Sequence, residues 1–265
     1  MIPNVLSVAG FDPSGGAGVL ADIKTFAALR CHGLAVATAL TAQNTRGVVG
    51  MDPVPAEFVG MEIDALFADI EIAAVKIGML AAPDIIETLA GRLAHYRPKH
   101  IVLDPVLVAS SGDPLAIGDV ASAILDHLAP LVTLVAPNLD EAAALAGAPA
   151  PTTLASMHKL AEDLQRRGFA AVLIKGGHLE SEKAEDILFD GTSHRSFSAP
   201  RLTAKDTHGT GCTLSAAIAA ELAQGRELSS AIEAAKAYVN EALATADALN
   251  VGHGPGPLHH FHKFW

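Results

Sequence analysis

Residues 5–18, with the sequence VLSVAGFDPSGGAG, decide how the start of this chain folds. The run Val5–Ala9 is apolar almost throughout, which is typical of a strand that is covered on both faces. The glycines that follow interrupt the strand, and a helical pattern then covers residues 18–30. A strand, a loop of small residues and a helix in this order form a βα unit, which predicts a parallel sheet.

The same alternation of short apolar runs and amphipathic segments continues along the chain. Further strands are predicted at Ala35–Ala42, Ala73–Ile77, His100–Leu103, Val132–Val135 and Ala170–Ile174. Helical patterns cover residues 55–68, 83–96, 117–128, 139–146 and 153–167. Repeated βα units with right-handed crossovers predict an α/β fold, in which a doubly wound, mostly parallel sheet is flanked by helices on both faces.

The pattern changes in the C-terminal third. Two strand-like segments, Glu185–Phe189 and Arg195–Ser198, flank Asp190-Gly191, a dipeptide that favours a hairpin turn. Two alanine-rich helices are expected after this hairpin, near residues 211–224 and 229–247. No internal repeat or low-complexity linker interrupts the chain, so we expect a single domain over residues 1–265.

Composition and charge exclude several classes of protein. The 265 residues carry a formal net charge of -11, and no run of Lys or Arg provides the basic stripe that a nucleic-acid-binding protein needs. Two cysteines give no disulfide framework, and no apolar stretch has the length needed to span a bilayer. We therefore expect a cytoplasmic protein without nucleic-acid or membrane partners.

The strongest local signal is the segment Asp206-Thr-His-Gly-Thr-Gly-Cys212, which directly precedes a predicted helix. Its glycines let several backbone N–H groups point towards one place, and the helix adds its positive N-terminal end. Together they favour the binding of phosphate. The alternative is an ordinary glycine-rich start of a helix. Neither a P-loop lysine pattern nor the dinucleotide-binding G-x-G-x-x-G is present, which argues against P-loop ATPases and Rossmann dehydrogenases.

This segment resembles the anion-hole signature of the ribokinase-like kinases, with Cys212 where Asp is usual in that superfamily. The motif with cysteine at this position resembles that of one branch of the superfamily, the bacterial hydroxymethylpyrimidine/phosphomethylpyrimidine kinases and their pyridoxal-kinase-like relatives. The resemblance implies that Cys212 is the catalytic base and that the amides of Gly209, Thr210 and Gly211 hold developing charge. A helix N-terminus lowers the pKa of a thiol, so we expect Cys212 to act as a thiolate. The alternative is a small packing cysteine.

The resemblance extends to the residues expected to bind the pyrimidine. Gln43, at the end of the second strand, offers a donor and an acceptor to a ring nitrogen and an adjacent amino group. Asp22, in the first helix, offers an acceptor to an exocyclic amine, although it could equally be a solvated helix residue. Gly78, Met79 and Val106 match positions that line the substrate cavity in the family, whereas on their own the last two would be assigned to the core. Gly10, in the loop after the first strand, is also expected to bind the substrate.

The nucleotide and its metal have a second set of candidates. In the family the motif N-x-x-E orders Mg²⁺ and the triphosphate, which implies nucleotide binding by Asn138 and a metal role for Glu141; a helix-capping box is the alternative. Asp104, at a strand end, is a second metal candidate. Lys175 and Thr207 are expected to bind the nucleotide, although Lys175 could be a surface lysine.

The ordered motifs together imply an ATP- and Mg²⁺-dependent kinase. Its expected reaction is phosphorylation of 4-amino-5-hydroxymethyl-2-methylpyrimidine and then of the monophosphate, as in thiamin biosynthesis. Family analogy also implies a homodimer. Two alternatives remain: a pyridoxal or pyridoxine kinase, and a catalytically silent ligand-binding protein on the same fold.

Overall fold

The computed structural model describes residues 1–107, 115, 117–177, 179, 183–202 and 208–265. The strands are β1 (Asn4–Phe11), β2 (His32–Asn44), β3 (Gly47–Pro53), β4 (Ala74–Ile77), β5 (Ile101–Leu103), β6 (Leu134–Val135), β7 (Val172–Ile174), β8 (Lys183–Phe189) and β9 (His194–Pro200). The helices are α1 (Gly18–Ala28), α2 (Ala56–Asp69), α3 (Pro83–Tyr96), α4 (Val120–Ala123), α5 (Leu139–Ala146), α6 (Leu154–Arg166), α7 (Thr210–Ala223) and α8 (Leu228–Ala244). Helix α4 continues as one π-helical turn over Ile124–Leu128, and a short 3₁₀ turn covers Ala246–Ala248.

The described strands form one nine-stranded sheet in the order β3-β2-β1-β4-β5-β6-β7-β8-β9. The six strands from β2 to β7 along this order are parallel to one another. The outer strands are antiparallel, with β3 at one edge and the hairpin β8–β9 at the other. The predicted doubly wound, mostly parallel sheet is therefore confirmed.

Two apolar layers cover the sheet, one on each face. The first contains residues of α2, α3, α5 and α6, such as Ile63, Leu89 and Leu160. The second contains residues of α1, α7 and α8, such as Phe26 and Ile218. Because both faces are covered, the central strands lack a solvent face, which explains their continuous apolar sequences.

Strand β3 is the element that the sequence analysis misses. It contains Gly47 and Gly50, which weaken a strand signal, and much of it is exposed at the edge of the sheet. Its position depends on antiparallel backbone pairing with the end of β2, for example Thr41 opposite Met51. Other boundaries differ from the expected ones by a few residues.

The parallel strands gather the ends of several motifs at one edge. Strands β1, β4, β5, β6 and β7 all run in the same direction, so the residues that follow their carboxyl ends lie side by side. In open α/β sheets this edge is where ligands bind.

The C-terminal tail has irregular structure, as expected, and returns to this edge. The backbone N–H of Gly254 donates to Thr45 Oγ1 at 3.0 Å, beside the turn between β2 and β3. The backbone N–H of His208 donates to the Gly256 carbonyl at 3.2 Å. No helix within the described residues is long and apolar enough to cross a bilayer.

Candidate active site

A cavity of about 900 Å³ lies along the carboxyl ends of the parallel strands. Nearly all of the predicted site residues line it: Gly10, Gln43, Met79, Asp104, Val106, Asn138, Glu141, Lys175, Gly209, Thr210, Gly211 and Cys212. Asp22 is the exception among the described residues, and the predicted nucleotide-binding residue Thr207 lies outside them. The βα topology thus brings together side chains from distant parts of the chain.

Gly10 and Met79 shape the end of the cavity beside β1 and β4. A Cβ atom at position 10 would lie 2.8 Å from Met79 Cε, so only glycine leaves room for this methionine. Gln43 and Val106 also line the cavity. The small and apolar surface suits a flat ring, and Gln43 provides the polar edge.

Asp12 holds Gln43 in one orientation. It accepts hydrogen bonds from the Gln43 side chain, from the Ala17 backbone N–H at 2.9 Å and from His208 Nε2 at 2.9 Å. Burial acts to raise the pKa of Asp12, but the hydrogen bonds from His208, Gln43 and Ser14 outweigh it and keep this pKa well below its usual range. Because a carboxylate only accepts, Gln43 must direct an amide N–H towards Asp12, leaving its oxygen and second N–H for a ligand.

The structure places Asp22 in the interior and not on the cavity wall, in contrast to its predicted contact with the pyrimidine. Its side chain is 0% exposed and pairs with Lys76, whose Nζ lies 2.8 Å from Asp22 Oδ2. Ser7 Oγ donates to the same oxygen at 2.6 Å. The position matches the family motif, but the α1 face that carries Asp22 is turned into the protein interior.

The first turn of α7 also lines the cavity. Gly209 precedes it with φ of 83°, a left-handed conformation that favours glycine. A Cβ atom there would overlap the Gly16 carbonyl oxygen, so the loop after β1 and the start of α7 touch through glycines. The first helical bond joins Thr213 N–H to the Gly209 carbonyl, and the earlier N–H groups of the turn have no acceptor inside the helix. Such a helix start favours anions.

Lys175 lies beside this helix start. Its Nζ atom is 2.6 Å from Asp104 Oδ1 and 3.8 Å from Glu141 Oε2. A Cβ atom at Gly211 would lie only 3.2 Å from Lys175 Nζ, so glycine keeps the ammonium group close to the α7 backbone. Ser215 Oγ donates to Asp104 Oδ2 at 3.3 Å and fixes the carboxylate from the other side. The Lys175 ammonium group therefore lies close to the helix start, where the helix favours phosphate.

Asn138 and Glu141 form the capping box that the sequence analysis left as the alternative. Glu141 N–H donates to Asn138 Oδ1 at 2.9 Å, and Asn138 N–H donates to Glu141 Oε2 at 2.7 Å. Burial raises the pKa of Glu141 to about 7, opposed by Lys175 and reinforced by Asp104. The box therefore presents the Glu141 carboxylate to the cavity, close to the carboxylate of Asp104.

Cys212 is partly buried in the first turn of α7, and its sulfur accepts a hydrogen bond from the Gly18 backbone N–H. Burial raises the pKa of Cys212 to about 11, although Lys76 acts in the opposite direction. Burial of the thiol thus acts against the lowered pKa that the helix N-terminus predicts, because desolvation of the thiolate exceeds the help from its surroundings.

The sequence analysis missed several residues of the cavity wall. Asp12 and His208 lie within the two glycine-rich segments, so their positions beside the expected ligands were a signal that could have found them. Lys236 of α8 and Asp186 of β8 also line the cavity and form a buried ion pair, in which Lys236 Nζ lies 2.5 Å from Asp186 Oδ2. No local pattern identifies this pair, because it depends on the packing of α8 against the hairpin.

The contact between Gly209 and Gly16 generates a prediction. Gly209→Ala should displace the first turn of α7, because the added methyl group overlaps the Gly16 carbonyl and φ is positive. Displacement of a reacting group by about 1 Å can cost roughly 100-fold in kcat. Gly177→Ala is the control, since Gly177 also lines the cavity but its added methyl group meets no described atom within 4 Å. Parental kcat in a folded Gly209→Ala variant would contradict this geometry.

Comparison with known proteins shows the family of this chain. The phosphomethylpyrimidine kinase family profile matches residues 12–259. The chain is 48% identical to the hydroxymethylpyrimidine/phosphomethylpyrimidine kinase of Escherichia coli, over 99% of this chain and 98% of that protein.

Solved structures show the same relationship. The ADP complex of Bacillus subtilis pyridoxal kinase superposes with a TM-score of 0.92 at 34% identity, over 99% of both chains. The phosphomethylpyrimidine kinase of Clostridium difficile superposes with a TM-score of 0.80 at 38% identity, over 91% of this chain and 99% of that one. The chain therefore belongs to the phosphomethylpyrimidine kinase family, a family of phosphotransferases with the ribokinase-like fold.

Proposed function

We propose that this protein transfers the γ-phosphoryl group of ATP to the hydroxymethyl group of 4-amino-5-hydroxymethyl-2-methylpyrimidine, and then phosphorylates the monophosphate to the pyrophosphate. One observation carries the proposal. A single cavity is lined both by an oriented amide, Gln43, and by a helix N-terminus with Lys175 beside it. Family membership supports the same reaction.

Gln43 selects the aminopyrimidine. Its amide oxygen accepts from the exocyclic amine, and its second N–H donates to the adjacent ring nitrogen. Asp12 makes this assignment definite, because its charge requires an N–H to face it and prevents the amide from turning over. The methyl substituent and the ring faces then contact the small and apolar wall at Gly10, Met79 and Val106.

The phosphate chain of ATP lies against the start of α7. The backbone N–H groups from Gly209 to Cys212, together with Lys175, neutralise the transferring phosphoryl group locally. Local neutralisation explains how a chain with a net charge of -11 binds a polyphosphate. Asp104 orients Lys175 at 2.6 Å, and we assign it this role in place of a direct metal contact.

The acidic side of the cavity fits a divalent cation. Burial and the negative charge of Asp104 raise the pKa of Glu141, and a bound cation would offset the negative charge of the two carboxylates. We expect Glu141 to hold Mg²⁺, because its second oxygen is not used in the capping box. When bound, Mg²⁺ neutralises the charge on the triphosphate oxygens. Asn138 keeps the Glu141 carboxylate in place.

Cys212 removes the acceptor proton in the first transfer. Its thiolate takes the hydroxyl proton, forming S–H, while the acceptor oxygen bonds to the γ-phosphorus and the bond to the ADP oxygen breaks. With a thiol pKa of about 11, the active form is a minor species at neutral pH. The second transfer needs less help, because a phosphate acceptor is already ionised.

Pyridoxal kinase activity is the second candidate. The superposition on the Bacillus subtilis pyridoxal kinase, with a TM-score of 0.92, favours it. Gln43 held by Asp12 favours the aminopyrimidine instead, because a ring that carries an amine beside a nitrogen uses both free groups of the amide.

We also propose a cytoplasmic homodimer, on the analogy of the family. The exposed side chains of Leu40 on β2 and Val49 on the adjacent edge strand β3 support an interface between two copies. Sedimentation of the full chain should give the dimer mass, and a monomer at all concentrations would contradict the interface.

Substitution of Gln43 tests substrate recognition. Gln43→Ala should lower kcat/KM for the hydroxymethylpyrimidine by an amount equivalent to about 1–3 kcal/mol, because the paired hydrogen bonds are lost. The KM for ATP should be unchanged. Asn44→Ala is the matched control, since Asn44 is the next residue of β2 and its side chain is exposed. Equal kcat/KM values in Gln43→Ala and the parent protein would contradict the assignment.

Substitution of Cys212 tests the base. Cys212→Ala should fold and bind ATP but lose roughly 10²–10⁴-fold in kcat for the first transfer. Below a pKa of about 11 the thiolate fraction increases with pH. The parental kcat/KM should therefore increase by about tenfold per unit between about pH 8 and 10, above the pKa of about 7 of Glu141, and the variant should lose this slope.

The second transfer is the internal control for Cys212, because its ionised acceptor needs no thiolate and should show little dependence on pH in this range. Near-parental turnover of the hydroxymethylpyrimidine by a folded Cys212→Ala variant, measured beside its thermal melting, would make Cys212 a packing residue.

A further inference from the structure

A fully buried ion pair lies under the cavity and has no role in the reaction described so far. Lys76 Nζ and Asp22 Oδ2 are 2.8 Å apart, and both side chains are 0% exposed. Ser7 Oγ donates to the same Asp22 oxygen at 2.6 Å, while Asp22 Oδ1 has no hydrogen-bond partner among the described residues. Removing two charges from water costs more than such a pair returns, so stability alone does not account for it.

The pair lies between the sheet and helices α1 and α7. The start of α7 is the proposed phosphate site. Lys76 of β4 is paired in register with Ser7 of β1, and this face of the sheet is covered by α1 and α7. A Cβ atom at Gly78 would lie 2.9 Å from Lys76 Nζ, so the ammonium group extends towards the carboxyl end of the strand, where the cavity begins.

Cys212 is connected to this ion pair through helix α1. The Gly18 backbone N–H donates to the Cys212 sulfur, and Asp22 lies one turn further along the same helix, α1. Neither Lys76 nor Asp22 can touch a ligand, because neither has any exposed surface. Any effect on the reaction must therefore pass through a neighbouring group.

We propose that Lys76 is a positioning residue that stabilises the thiolate of Cys212 through its buried positive charge, and that Asp22 limits how much of this charge acts on the sulfur. This inference rests on the proposed function, in which Cys212 is the base. It gives Asp22 a place in the site that differs from the expected contact with substrate.

The charges around Cys212 are consistent with this role. Lys76 from β4 and Lys175 after β7 favour the thiolate, whereas Asp22 from α1 and Asp104 after β5 oppose it. Burial alone would lower the pKa of Lys76, but the negative charge of Asp22 outweighs it and holds this pKa above its usual range. The lysine therefore stays charged in the interior.

The test measures the thiol and needs no turnover. In a Cys31→Ala background Cys212 is the sole cysteine of the chain, and its rate of alkylation by iodoacetamide follows the thiolate fraction. Lys76→Met should slow alkylation by on the order of tenfold at a fixed pH and move its pH profile upward, because a neighbouring opposite charge shifts a pKa by roughly one unit or more. Asp22→Asn should accelerate alkylation and move the profile downward.

Lys236→Met and Asp186→Asn are the matched controls. Each removes one partner of a second buried lysine–aspartate pair that lines the same cavity. Both should leave the alkylation profile in place. A purely structural role for Lys76 predicts that both of its variants loosen the site and accelerate alkylation alike, and this result, or unchanged profiles, would overturn the inference.

Two features keep the experiment decisive. If Lys76→Met does not fold, Asp22→Asn still has a predicted direction, and a slower or unchanged alkylation rate overturns the proposal. Because no substrate is present, the result is independent of whether Cys212→Ala abolishes turnover, so failure of this inference and failure of the proposed base are separately visible.

Discussion

The hydrogen bond between His208 and Asp12, 2.9 Å long, joins two loops that lie 196 residues apart in sequence. Next to it Gly209 touches the Gly16 carbonyl, an approach that any side chain would prevent. This junction holds the loop after β1 against the start of α7. Asp12 also holds Gln43, so the group proposed to read the substrate and the helix proposed to bind phosphate share one anchor. Loss of the junction would separate recognition from transfer.

Much of the fold could be predicted from the sequence, for a physical reason. Strands that are covered on both faces must be apolar throughout, so their sequences identify them, and the helices between them follow from their periodicity. Strand β3 escaped this logic because Gly47 and Gly50 interrupt its apolar residues and much of it is exposed at the edge of the sheet. Its backbone pairing with β2 is a tertiary contact that no local pattern records.

The candidate site was predictable as a set of positions and less so as chemistry. Parallel strands end at one edge, so motifs at strand ends had to meet, and Lys175 and Asp104 do so at 2.6 Å. Burial is a property of the folded chain, however. It turned Asp22 into a counterion for Lys76, and it raised the pKa of Cys212 where a helix N-terminus alone suggested the opposite. Local sequence does not report how much water a side chain keeps.

The central claim is that one cavity recognises an aminopyrimidine through Gln43 and transfers phosphoryl to its hydroxymethyl group. The most direct measurement is the initial rate of ADP formation by the full chain with ATP and Mg²⁺, compared among the hydroxymethylpyrimidine, its monophosphate, pyridoxal and ribose. The account predicts turnover of the first two, a smaller kcat/KM for pyridoxal and none above background for ribose. A larger kcat/KM for pyridoxal or ribose than for the hydroxymethylpyrimidine would contradict it.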